Sequence, residues 1–216
     1  MRDPAVDART DRPDPTRSPP RSASRGKSIP RRRLEPVEFA RWVEDRADRL
    51  AERWLTEVQS RDGSGTTGRE ALLGRFFRLL VSILPATLGP YREQVEPIWV
   101  QISELFGQVA AQRGLAAGEV IEEFQILRDV LIRLLYAEPP VVGGVRMPLR
   151  DILRLNRIVD RGVTHSSVGH TDALFFALFR GSGVPDALDE ALAREVEEQL
   201  DALEREYRDV MRSLRG

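Results

Sequence analysis

The chain has 216 residues, with 33 basic and 34 acidic side chains, 41% hydrophobic residues and no cysteine. This length suggests one ordinary domain with additions, and the lack of cysteine excludes disulfides and thiolate chemistry. Of the 33 basic residues only Lys27 is lysine, so the abundance of arginine reads as coding bias more than as a set of designed guanidinium contacts.

Residues 1–33 hold six prolines, ten basic and four acidic residues. They carry a net charge of about +6 and leave about −7 for residues 34–216. A segment with so few large apolar side chains cannot offset its ordering entropy by burial, so it is expected to be a disordered basic arm. Its closing Arg31-Arg32-Arg33 suits an acidic partner or nucleic acid. No aromatic side chains interleave with the arginines, so base stacking is not expected and nucleic acid is a poor candidate partner. The arm has no apolar centre of a secretory signal. Uninterrupted apolar stretches are short, as at Ala173 to Phe179, so no segment is expected to match the ~18–20 residues that span a bilayer. The expected location is cytoplasmic, away from membranes.

From Leu34 onward the apolar period is helical throughout, and the expected fold is an all-α helical bundle. A first helix opens at Pro36, a favoured first-turn residue. It places Phe39, Val43, Ala47, Leu50, Trp54 and Val58 inward and stops before Asp62-Gly63-Ser64-Gly65. Thr67 to Glu70 reads as a capping box for a second helix, which carries Leu72, Leu73, Phe76, Leu79, Leu80 and Ile83 and ends near Pro85 and Gly89. A third helix runs from about Glu93 to Gln112, with Gly114 as its stop. A fourth covers Ala117 to Tyr136, with Val120, Phe124, Leu127, Leu131 and Leu134 in one stripe. A fifth extends from Pro148 to about Phe179 and is broken by Gly181-Ser182-Gly183 and Pro185. The sixth, 186–216, repeats apolar residues Val196, Leu200, Leu203, Tyr207, Val210 and Leu214 at heptad steps. Acid-before-base pairs such as Glu190 with Arg194 support it. It is expected to be a coiled-coil-like helix that pairs two copies as a homodimer or docks on a partner, the alternative being that it folds back to complete its own bundle. The three parts are then an arm at 1–33, a helical domain at 34–181 and the heptad helix at 186–216.

Only two histidines are present. At 100° per residue His170 shares the apolar face of the fifth helix with Ile152, Val159, Val163 and Leu174, whereas His165 falls on the opposite side. A buried histidine there is a core residue bonded to a backbone carbonyl, or else a switch near neutral pH or a metal or haem ligand. Neither histidine has Glu three residues before it, which excludes the paired Glu-x-x-His set of a di-iron bundle. His165-Ser166-Ser167-Val168-Gly169 lacks the lysine that helps neutralise a transferred phosphoryl group. No phosphate-binding loop and no serine elbow occur. No catalytic set, metal or cofactor is therefore expected, and the chain does not read as an enzyme.

The stretch Gly114 to Leu131, with Glu119, Glu122-Glu123-Phe124 and Leu127-Arg128, resembles the N-terminal domain of RsbT co-antagonist proteins of the RsbRD type. Trp54-Leu55 on the first helix fits the same pattern, and the resemblance covers roughly Phe39 to Phe179. Where that pattern often has Arg and Gln ahead of the glycine, this chain has Ala110 and Arg113. The resemblance implies a signal-input or adaptor domain of bacterial stress signalling that acts through protein contacts. It also implies a globin-like helical arrangement that holds no haem. Arg128, beside the core stripe, and Arg113 are the candidate partner or ligand contacts. Such domains usually precede an output module; here nothing follows the sixth helix, so a stand-alone adaptor or a separated input domain is expected. Two other readings remain at this point: a haem or small-molecule sensor using His170, and a nucleic-acid-associated protein using the arm.

Overall fold

In the computed structural model, residues 36–62, 67–140, 149–179 and 190–215 are described. The arm, the loop at 141–148, the break at 180–189 and the side chains of the Thr67 to Glu70 capping box lie outside them. Seven helices and no strand occur among the described residues: α1 (Pro36–Glu44), α2 (Ala47–Asp62), α3 (Thr67–Leu88), α4 (Arg92–Gln112), α5 (Ala117–Ala137), α6 (Leu149–Phe179) and α7 (Glu190–Arg215). The fold is an all-α bundle.

The expected first helix is two. Its apolar rhythm runs on unbroken, but the backbone turns at Asp45 and Arg46, where the Arg46 N–H bonds to the Val43 carbonyl at 3.1 Å. Arg46 folds its guanidinium back over the Trp42 ring at 4.8 Å and donates to the Trp42 carbonyl at 3.2 Å. The Trp42 indole in turn donates to the Glu138 carbonyl at 2.9 Å, which ties α1 to the end of α5. Hydrophobic spacing carries no trace of such a polar clasp. The α3 helix also continues through Pro85 to Leu88. One 18-residue window in it, Ala71–Leu88, is long and apolar enough to cross a membrane, contrary to the expectation that no stretch would be; 78% of that window is buried inside the bundle.

The α4–α5 corner is built by glycine. Gly114 has φ of +78°, a conformation that costs other residues dearly. The Gly114 N–H bonds to the Ala111 carbonyl at 3.0 Å and the Leu115 N–H to the Ala110 carbonyl at 3.1 Å, which closes α4 as a Schellman motif. At the start of α5, Glu119 accepts from the Ala116 N–H at 2.6 Å, half of a capping box, since Ala116 has no side-chain oxygen to return the bond.

Four aromatic rings from four helices meet at the centre. Trp54 of α2 stacks on Phe77 of α3 with centroids 3.6 Å apart, and Phe106 of α4 meets Phe124 of α5 edge-on at 5.6 Å. Trp54 and Phe124 close the ring at 5.8 Å. Helices α4 and α6 form the most extensive pair in the molecule. Their backbones touch: a Cβ on Gly107 would strike the Ser166 carbonyl and one on Gly169 the Glu104 carbonyl, while one on Gly162 of α6 would strike the Phe124 ring of α5. Contacts of Glu96 with Arg161, Glu104 with His165 and Gly107 with His170 advance in the same sense on both helices, so α4 and α6 run parallel.

The heptad seam of α7 is occupied by its own chain. Val196, Leu200 and Met211 are buried, and Leu203, Tyr207 and Val210 pack partly buried on the same core, with Leu214 half-exposed beyond. The helix lies along α4 and α3, held by Arg75 to Asp201 and by the Tyr207 hydroxyl on the Ser82 carbonyl at 3.3 Å. Of the two readings of this seam, these contacts are those of the helix that folds back on its own bundle: a two-per-seven apolar stripe fits a groove in the bundle as well as it fits another helix.

Two substitutions test this architecture by chemical denaturation. Gly169→Ala should cost at or above the top of the ~1–3 kcal/mol range for overpacking, because what it strikes is backbone. Gly118→Ala on exposed α5, where nothing lies within 4 Å of a new Cβ, should instead stabilise by about 0.4–1 kcal/mol. Leu200→Asp should lower the melting temperature sharply without any change in mass, since it buries a charge in this chain's own core; a change in mass with unaltered stability would return the seam to a second copy.

Candidate functional site: the arginine-lined cleft on α5

Helix α5 carries the Glu-Phe and Leu-Arg stretch, and its polar groups reach three other parts of the bundle. At its first turns Glu123, buried beside Phe124, pairs with Arg113 at 3.2 Å. The Trp54 indole N–H donates to the Glu123 carbonyl at 2.7 Å. Further along, Arg128 pairs with Asp160 of α6. Arg133 makes a fork onto Glu57 of α2, with 2.9 and 3.2 Å to the two carboxylate oxygens. At the end, Glu138 accepts from Arg49 at 2.7 Å and from Arg46 at 3.2 Å.

Arg113 and Arg128 are thus both engaged inside the chain. Arg113 holds the α4–α5 corner against α5, and with both partners nearly excluded from water the loss of either would strand a charge. His170 is buried and its Nε2–H donates to the Leu115 carbonyl at 2.7 Å. It latches α6 to the corner that Gly114 creates, and the nitrogen a haem iron would take is occupied by that bond. His165, expected on an open face, is half-exposed and meets Glu104 of α4 at 2.8 Å. Among the described residues no group of three or more His, Asp or Glu side chains gathers as a metal site would require.

What α5 leaves open is a cleft against α2 of about 330 Å³, lined by Arg49, Arg53, Glu57, Arg133 and Glu138 over an apolar floor of Leu50, Val130 and Leu134. The size is at the lower end of small-molecule sites. The hydrogen bond from Arg53, with the charge of Arg133 beside it, holds the Glu57 carboxyl below its usual range against the opposing effect of burial. The Arg49 hydrogen bond, with Arg46, does the same for Glu138. Sequence reasoning missed this cleft because its side chains come from helices nearly ninety residues apart and each arginine looks like ordinary surface. The one available signal was Glu57 and Arg53 at helical spacing beneath Trp54.

Comparison with protein-family models, with curated proteins and with solved structures returns no match.

The lowered Glu57 and Glu138 carboxyls set a pH dependence. Both bind fewer protons folded than unfolded, so their contribution is present above the ordinary carboxylate value of 4.5 and is lost as pH falls through the lower folded values. The melting temperature should drop across that acid range, and Glu57→Gln should flatten part of the drop. Salt should weaken the effect, since these pairs are solvent-accessible. An unchanged acid limb in Glu57→Gln would show that the Arg53–Glu57–Arg133 cluster does not contribute.

Proposed function

We propose that this chain is a non-enzymatic signal-input or adaptor domain of bacterial stress signalling, of the RsbRD N-terminal type, that works in the cytoplasm through contact with a protein partner. The observation that carries this reading is the placement of α5. One helix is bonded to α2 by Arg133 and Glu138, to the α4–α5 corner by Glu123 and to α6 by Arg128. A partner that pulled Arg49 or Arg133 from its glutamate would change the seat of α5 and so the grip of α5 on α6. Such a shift needs only a difference in affinity between two seatings of the helix. The polar pairs of α5 are bonds to other elements of the bundle, an arrangement suited to transmitting position. The haem alternative is not favoured, since His170 is spent on the Leu115 carbonyl, and the nucleic-acid alternative rests on the arm, outside the described residues.

The test is crosslinked copurification from the native cell, with the full chain as bait and an Arg49→Glu, Arg133→Glu variant beside it. Wild type should retain a component of a signalling chain, such as an anti-sigma antagonist, a histidine kinase or a DNA-binding regulator. The variant should lose it while keeping its helical content. Equal capture by both proteins would remove the cleft from the reading. Capture of no signalling component would overturn the function itself.

A further inference from the structure

We propose that the C-terminal end of α6 is the face through which two copies of this chain associate. At 31 residues α6 is about 46 Å long, against about 31 Å for the 21-residue α4 it runs beside. The parallel register, with Gly107 against Ser166 and His170, brings the end of α4 at Gln112 level with about Ala173. The remaining turn and a half of α6 therefore overhangs the helix that supports it.

The overhang is apolar on every side: Ala173-Leu174-Phe175-Phe176-Ala177-Leu178-Phe179. A helix hydrophobic all round is normally enclosed, yet here Ala177 faces in, Leu174 is half-buried and the other large side chains face out. Ala177 is buried, while Phe175, Phe176, Leu178 and Phe179 are 63%, 58%, 68% and 82% exposed. The rings are already ordered against one another: Phe175 meets Phe176 edge-on at 6.1 Å and stacks on Phe179 at 6.3 Å. Rigid aromatic side chains lose little entropy on being covered, which is what the anchors of an interface require.

Area and charge both favour a second copy as the occupant. The four side chains expose roughly 500 Å² on one copy, more than scattered surface residues would and comparable to the largest apolar patch of a typical monomer. A two-fold contact doubles this to roughly 1,000 Å², and the flanking Val168, Thr171 and Asp172 bring it to the ~1,200 Å² at which stable interfaces begin. Contacts between identical chains are also the more apolar class. A lipid-facing helix would carry an excess of basic side chains on its rim to meet anionic headgroups, but from Val168 to Arg180 the sequence holds one acid, Asp172, and one base, Arg180, and so no excess of positive charge. This face lies apart from the α2–α5 cleft, so the inference does not depend on the function proposed above.

The experiment is the mass of the full chain by sedimentation equilibrium and light scattering from low to high micromolar concentration. Wild type should reach twice the chain mass. Phe175→Glu with Phe179→Glu should remain at the chain mass and melt like dilute, monomeric wild type, because in a single copy both side chains are mostly in water. The chain has no cysteine, so a spin label on Asp172→Cys alone should report a short inter-copy distance, and one on Glu198→Cys of α7 a longer one or none. Monomeric wild type at all concentrations, dimers that survive the double substitution, or no short distance from position 172 would each overturn the proposal. Binding of monomeric wild type to phosphatidylcholine vesicles would overturn it in favour of a lipid surface.

Discussion

The contact of α4 with α6 at Gly107 and Gly169 is the constraint on which the other packing depends. With no Cβ at these positions the two backbones come together directly, and the groups that a side chain would otherwise separate meet instead. Gly162, about two turns before Gly169 on nearly the same face of α6, admits the Phe124 ring of α5. Phe124 then meets Phe106 and Trp54, and Trp54 stacks on Phe77, so one close approach sets the depth of the aromatic centre shared by α2, α3, α4 and α5. Ser103 and Ser166, buried in the same region, satisfy their hydroxyls on the carbonyls of their own helices. Neither hydroxyl therefore needs a partner from the neighbouring helix. Close-packed interiors transmit displacement, since a contact that cannot compress must slide.

Apolar periodicity made most helices legible because it reports what faces the core. Phe39, Leu50, Trp54, Phe76, Leu80, Ile98, Ile102, Phe106, Phe124 and Leu131 are all buried as their spacing implies. The helix stop at Gly114 was legible for a different reason, since the left-handed backbone there suits glycine and little else. Three features were not legible. The break between α1 and α2 depends on Arg46 bonding Trp42 and Glu138, a polar event on an uninterrupted apolar stripe. The seat of α7 depends on whether a groove of the right width exists in the bundle, which no single helix encodes. The glycines of α6 read as weak points in a helix, because their value appears only when α4 is brought beside them.

The site was less legible than the fold. Arg113, Arg128 and His170 attract notice in the sequence because a charge or an imidazole beside a core stripe is costly without a reason. The reason in each case is internal: Glu123, Asp160 and the Leu115 carbonyl answer them. The open cleft is instead lined by Arg49, Arg53 and Arg133, three arginines among many in a chain with almost no lysine. Composition hides them, and only the convergence of α2 and α5 on Glu57 and Glu138 sets them apart. A planar guanidinium can bond two carboxylate oxygens at once, as Arg133 does with Glu57. Each such pair sits near the surface, so it stabilises the fold little and can be exchanged at little cost for a partner's carboxylate.

The inverted end of α6 follows from the same geometry as its glycines. Where α4 lies alongside, α6 turns small residues toward it, and Gly162, Ser166, Gly169 and His170 are buried in sequence. Ala173 and Ala177 continue that small-residue face past the point where α4 stops. The bulky residues must then occupy the remaining angles of the helix, which point away from the bundle. Were the tract only a continuation of the core stripe, phenylalanine would stand at 173 and 177 and polar residues at 175 and 179; the order is reversed. A helix segment that keeps its slim side toward its own chain and its aromatic side outward has two faces to bury. The chain itself covers the first, burying Ala177, and the second copy proposed here would supply cover for the other. Because Gly169 and His170 lie one to two turns from Phe175 on the same helix, a change in how α6 crosses α4 would tilt the aromatic face directly. In this arrangement the α4–α6 crossing is mechanically continuous with the surface where two copies would meet.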